Sequence, residues 1–199
     1  LYAPEQIDPG WFSQAFALHF CSVSLVDSPM RYAHLAAITA AREAGAILSF
    51  DPNLRFPLWP DREQLRQTVW QFLPLTHILK LSDEELPFLT GTEDIEAALP
   101  ALFTGDVQLV LFTCGSKGAR AYTRTASAHA RSPKVTAVDT TGAGDAFFAG
   151  TVIGLTYGKT LAESCEIGSR LAASVICITE NVCPRFRPQE FGLDVPVVD

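Results

Sequence analysis

The sequence predicts an α/β fold, a mostly parallel sheet flanked by helices on both faces. Short apolar runs alternate with stretches of helical periodicity at the spacing of βαβ units. The polar, glycine-bearing segments that follow those runs fall at strand carboxyl ends, where ligands sit in such sheets. The composition is that of a globular chain: 199 residues, 48% hydrophobic, three Trp, long enough for one domain with a substantial core. No linker and no fixed-period repeat is visible, so 1–199 reads as a single α/β domain.

The elements follow in order. Phe16-Ala17-Leu18-His19-Phe20, within 15–25, reads as a buried strand. Residues 30–44 carry Ala and Leu at helical spacing, and Gly45 ends that helix. A strand over 46–50 stops at Asp51-Pro52-Asn53. Pro60-Asp61 opens a helix over 61–72, and 77–81 is the next strand. A helix over 82–89 follows, with Gly91 closing it and Ser82 and Glu85 at the S-x-x-E spacing of a capping box. After a helix over 94–103, residues 107–113 form the most strand-like segment. Gly115-Ser116-Lys117-Gly118 turns it into 119–124 as a hairpin. Helices over 143–157 and 161–175 complete the order.

Charge and cysteine content exclude several classes. A formal charge of -7 and a pI near 5.1 argue against a nucleic-acid partner, which needs a basic stripe. Cysteines 21, 114, 165, 177 and 183 form no CxxC pair and no Cys/His ligand spacing, which argues against structural zinc and for reduced thiols in the cytoplasm. The most apolar stretch, 171–179, is too short to cross a bilayer. The opening Leu1-Tyr2-Ala3-Pro4 and a single Met, at 30, suggest an incomplete translation product.

Asp139-Thr140-Thr141-Gly142-Ala143-Gly144-Asp145 carries the chemistry. Two carboxylates flank a glycine-permitted turn that runs into the apolar stretch 146–150. Successive N–H groups at the head of a helix make a donor cluster suited to phosphate oxygens. Asp145, beside that cluster, can take a proton from an incoming hydroxyl. A second reading gives Asp139 as a helix cap and Asp145 as a complement to the helix dipole. Other phosphate loops fail: Phe147 stands where GxGxxG needs its third glycine, and no GxxxxGK[ST] occurs.

The run from Asp139 to Gly150 resembles the second signature of the ribokinase-like (PfkB) sugar kinases, with the fructokinase branch suggested by Phe56-Pro57-Leu58-Trp59. The resemblance covers roughly residues 15–184. It implies a ribokinase-like fold whose N-terminal part and lid are absent here, with Asp145 as base and the N–H groups of Gly142, Ala143 and Gly144 facing the transferred phosphoryl group. Asp51-Pro52-Asn53-Leu54-Arg55 is similar to the family's D-x-N-x-R element, giving Asn53 and Arg55 substrate or phosphate contacts; an Asx turn with a solvated Arg is the plain alternative. Ser82 and Glu85 stand at the family's N-x-x-E, linked to phosphates and to Mg2+ through water, beside their capping-box reading. Thr113, Gly115, Lys117 and Gly118 match its nucleotide-contacting turn, which a plain hairpin would also show. Asp139 and Thr141 are carried over as ligands of a monovalent cation such as K+. The pattern breaks at Leu171, where the family often has Asn, and at Thr179-Glu180-Asn181-Val182-Cys183-Pro184.

The expectation is thus an ATP- and Mg2+-dependent kinase acting on a primary hydroxyl of fructose or a related sugar. Its partners are a small-molecule sugar and ATP, with no nucleic acid or membrane, and a homodimer left open. A 2-keto-3-deoxygluconate or nucleoside kinase shares every motif, and a non-catalytic ribokinase-fold binding protein is the rival of a different class.

Overall fold

A computed structural model describes residues 2–179, 183 and 186–193. The fold is α/β, with six strands that follow one another in chain order, mostly parallel, and helices. The residues gather into two compact units, Leu1–Val110 and Leu111–Asp199. The boundary falls inside a strand and not in a linker.

The first unit contains β1 (Ala17–Cys21), α1 (Pro29–Glu43), β2 (Ile47–Asp51), α2 (Arg62–Phe72), β3 (Ile78–Ser82), α3 (Leu86–Thr90) and α4 (Ile95–Leu102). β1 pairs with β2 and β2 with β3, both parallel. Leu48, Phe50, Leu79 and Leu81 are fully buried, the near-continuous burial expected of parallel strands covered on both faces. Phe20 stacks on Phe50 with ring centroids 4.8 Å apart. The punctuation read from the sequence is used: Gly45 and Gly91 adopt φ of 79° and 78° after α1 and α3, and Asp61 caps α2 by accepting the Gln64 N–H at 2.7 Å.

One expectation there needs correcting. The helix expected over 82–89 begins only at Leu86, because Glu85 turns back and holds 82–85 as a turn: its Oε2 accepts both the N–H and the hydroxyl of Ser82, each at 2.9 Å. The return arm of a capping box is therefore made. The forward arm is not, since the Glu85 N–H donates to the Ser82 carbonyl at 3.2 Å instead of to its hydroxyl.

Strand β4 (Leu109–Thr113) spans the boundary, and a short 3-10 turn, Gly115–Lys117, follows it. The second unit then has β5 (Ala119–Tyr122), β6 (Ser127–Ala130), α5 (Ala143–Thr156) and α6 (Leu161–Ile176). β5 pairs antiparallel with β6, Ala119 opposite Ala130. β6 has no counterpart in the sequence reading: Ser127-Ala128-His129-Ala130 offers alanine where a strand signal needs bulk. α6 starts with a complete capping box, Thr160 with Glu163. α5 and α6 cross at backbone distance. A Cβ on Gly150 would lie 2.8 Å from the Gly168 Cα, and one on Gly154 2.8 Å from the Ser164 Cα. No described helix is long and apolar enough to cross a membrane.

Candidate functional site

Each unit carries one constellation at strand carboxyl ends. In the first unit it is built on β2 and β3. Asp51 closes β2 and Lys80 lies within β3; they form an ion pair at 2.7 Å, with Asp51 3% and Lys80 7% exposed. Asp51 Oδ1 also accepts the Asn53 N–H at 3.0 Å, and Asn53 is the one described non-glycine residue with positive φ, 44°. Asn tolerates that conformation because its short polar side chain bonds locally. Glu85, 8% exposed, reaches the same loop: its Oε1 accepts the Leu54 N–H at 3.0 Å. Two carboxylates and one ammonium thus share a nearly dry site. Burial pushes the Asp51 carboxyl up to about 6 from 3.8; Lys80 pulls it back and the Glu85 charge adds to the rise.

Ser82, Glu85 and Asn53 are therefore brought together by the structure, while Arg55 is exposed and donates to the Leu54 carbonyl at 3.1 Å. Sequence reasoning missed the Asp51–Lys80 pair. The signal was present: a lysine inside the apolar run Ile78-Leu79-Lys80-Leu81 must find a buried partner. Among the described residues no group of three or more His, Cys, Asp or Glu could hold a metal. Glu85 Oε2 is taken up by two Ser82 donors, whereas Oε1 accepts a single N–H and keeps a lone pair that a water could use.

In the second unit the stretch before α5 is tied to the end of α6, where the Ile176 carbonyl accepts the Val138 N–H at 2.7 Å. Asp139 Oδ1 accepts the Thr141 N–H at 2.9 Å, and those Thr141 bonds hold its carboxyl below the usual range. This is an Asx turn outside the helix, not a cap on it: the N-cap is Gly142, at φ 80°. Glycine is required there, since a side chain would be strained at that φ. The Ala143 N–H turns to the Thr140 carbonyl at 3.2 Å, whereas those of Gly142 and Gly144 have no acceptor among the described residues. Asp145 is exposed in the first turn of α5 and has no partner among the described residues.

Beside that turn lies a cavity of about 520 Å3 whose walls include Thr113, Gly115, Gly118, Thr140, Ala143 and Gly144. Of the expected nucleotide-contacting residues, Lys117 is not in the wall; the lysine that is there is Lys134. The opposite wall is the stripe Ser169, Ala172, Ala173 and Ile176 of α6, at the i, i+3, i+4, i+7 spacing of one helix face. Small residues at that spacing were the signal available in the sequence. The volume and largely apolar walls are those of a small-molecule site. The free N–H groups of Gly142 and Gly144 lie at the positive end of a helix, which suits phosphate oxygens. The break at Leu171 sits in α6, but residues 180–182 and 184 of the divergent loop lie outside the described residues.

Known proteins share the sequence and the fold. A fructokinase-2 of Solanum habrochaites is 37% identical over 180 residues, covering 89% of this chain and 55% of its own length. A putative fructokinase-8 of Arabidopsis thaliana is 46% identical over 136 residues, 67% of this chain and 64% of its own. Among solved structures, the Xylella fastidiosa fructokinase with bound ATP superposes with a TM-score of 0.82 at 29% identity, covering 90% of this chain and 61% of that one. Aminoimidazole riboside kinase of Salmonella enterica, complexed with the riboside and an ATP analogue, gives 0.80 at 30% identity, 96% of this chain and 65% of that one. This chain spans about half the length of the first curated relatives it matches. The sequence profile of the pfkB family carbohydrate kinases matches residues 3–180, and the chain belongs to that family.

Proposed function

We propose that this chain is the C-terminal part of an ATP-dependent sugar kinase of the fructokinase type. The observation that carries the reading is the head of α5, where the unpaired Gly144 N–H stands in the wall of a nucleotide-sized cavity, while Gly142 and the unpartnered Asp145 carboxylate belong to the same turn without lining that wall. Asp145 accepts the proton of a primary hydroxyl as its oxygen attacks the γ-phosphorus. The new O–P bond forms as the bond to the β-phosphate oxygen breaks, and ADP leaves. The Gly142 and Gly144 N–H groups meet the phosphoryl charge; the Ala143 N–H joins them only by giving up its bond to the Thr140 carbonyl. Glu85 would hold Mg2+ through water, and the ion would supply neutralisation of the triphosphate charge. Thr113, Gly115 and Gly118 contact the nucleotide by close backbone approach, with Lys134 in place of Lys117 as the cation of the cavity wall. Asn53 and Arg55 serve the acceptor or its phosphate, and Asp139 and Thr141 the loop that a K+ ion would occupy. The Vibrio cholerae fructokinase, 33% identical, was solved with fructose, ADP and calcium, which supports fructose as acceptor. The cytoplasm is the proposed compartment; a 40% identical Arabidopsis relative is named chloroplastic.

The riboside kinase of Salmonella, superposing over 96% of this chain, favours a nucleoside acceptor as the second reading. An acceptor panel with the full-length protein separates the two. The mechanism itself is tested by Asp145→Asn in that protein: fructose phosphorylation is expected to fall by about 10^2–10^4-fold with ATP affinity within about twofold. Near-normal turnover would sink the assignment.

A further inference from the structure

The second unit holds another cavity, of about 340 Å3, lined by His129, Arg131, Glu166, Ser169 and Arg170. Its local charge is opposite to that of the chain. In a protein of formal charge -7, two guanidinium groups and an imidazole meet a single carboxylate here. Arg170 is fixed in place: one terminal nitrogen donates to the Glu190 carbonyl at 2.5 Å and its guanidinium lies over the Phe191 ring at 5.0 Å. Arg131 and Glu166 are exposed and make no ion pair with other described residues. Ser169 supplies an independent observation. It is 8% exposed, its hydroxyl has no hydrogen-bond partner among the described residues, and it stands in the wall of this cavity and of the larger one. That hydroxyl is not one of the fully enclosed polar atoms without a partner, so it opens to the cavity, where a ligand atom can bond to it.

We propose that this cavity binds a phosphorylated polyol or sugar. Two planar guanidinium groups and a hydroxyl donor match the three acceptor oxygens of a phosphate monoester. Glu166 would repel a bare anion but accepts a hydrogen bond from a hydroxyl, so the ligand carries both groups. The volume leaves room for an organic part beyond the phosphate. The inference does not depend on the kinase reading.

The test follows the His129 imidazole resonances by NMR in the 199-residue chain, assigned with His129→Gln, as glycerol 3-phosphate is added. A saturable shift is expected, persisting in excess ATP. It should weaken by at least about fivefold in Arg131→Gln and in Ser169→Ala, the equivalent of one hydrogen bond. Inorganic phosphate should bind about fivefold more weakly than glycerol 3-phosphate, and that preference should vanish in Glu166→Gln. No saturable shift by about 20 mM, an unchanged shift in Arg131→Gln and Ser169→Ala, no preference over inorganic phosphate, or displacement by ATP would each overturn the proposal.

Discussion

Asp51 and Lys80 show what a single pair of residues does in this chain. Each is buried, and each charge is compensated by the other at 2.7 Å. Removing the ammonium leaves a carboxylate unpaired in a dry site, so Lys80→Met should cost about 3–5 kcal/mol at neutral pH, and Asp51→Asn, whose neutral side chain burial already favours, should cost less. The double variant should cost less than the sum, read by denaturant unfolding as a double-mutant cycle. Additive losses would mean that the pair is not coupled. The sign of the pH dependence follows from Asp51 lying at about 6 against 3.8 when unperturbed. The folded state holds that proton more tightly than the unfolded one, so the contribution of this group is full below pH 3.8 and is lost as pH rises through about 6. Relative to Asp51→Asn, the wild type should therefore lose stability between pH 4 and 7. That Lys80 needs a buried partner was legible in the sequence; that Asp51 is the partner was not, because the two are 29 positions apart and meet only once β2 and β3 are in register. The glycine turn before α5 was legible because its chemistry is contiguous in the chain.

At the scale of elements, legibility tracked side-chain bulk. β2, β3 and β4 announce themselves as apolar runs, whereas β6 is defined by its pairing with β5 and its packing against α6. The crossing of α5 and α6 depends on what is missing from a side chain. A Cβ on Gly168 would lie 2.5 Å from the Phe147 carbonyl and press on the Thr151 hydroxyl oxygen. Gly168→Ala gains up to about 1 kcal/mol of helix propensity but overpacks against backbone, which costs about 1–3 kcal/mol. Net destabilisation is expected, as a lowered midpoint in urea; an equal or higher midpoint would show that the helices part freely. A different device joins β2 to the entry of β3: His77 Nδ1 accepts the Leu48 N–H at 2.9 Å, which an imidazolium cannot do. Burial, then the nearby Arg42 charge, lowers the His77 pKa. Its contribution is thus present above the ordinary histidine value and lost as pH falls through the lower folded one. The protection factor of the Leu48 amide should fall in that acidic window. His77→Gln should remove the pH dependence; constant protection in the wild type would exclude the bond as a strand clamp.

For the molecule as a whole, the decisive fact is that the wall of the larger cavity comes entirely from residues 113–176, within the second unit. Asn53 and Arg55, proposed to serve the acceptor, belong to the first. The chain spans only about half the length of the fructokinases it resembles. Two measurements on the isolated 199-residue chain should therefore diverge. A fluorescent ATP analogue should bind saturably, because donors, small-residue walls and Lys134 are all present, and the affinity should drop when the α5 turn is distorted by Gly142→Val, which φ 80° does not accommodate. Fructose phosphorylation in a coupled assay should stay at background, since positioning of the acceptor and exclusion of water supply much of the rate in phosphoryl transfer. Strong hexose phosphorylation by this chain would show that the acceptor site is complete within it. Absence of nucleotide binding, with the fold intact by circular dichroism, would instead remove the cavity from the kinase reading and leave the head of α5 as a structural turn.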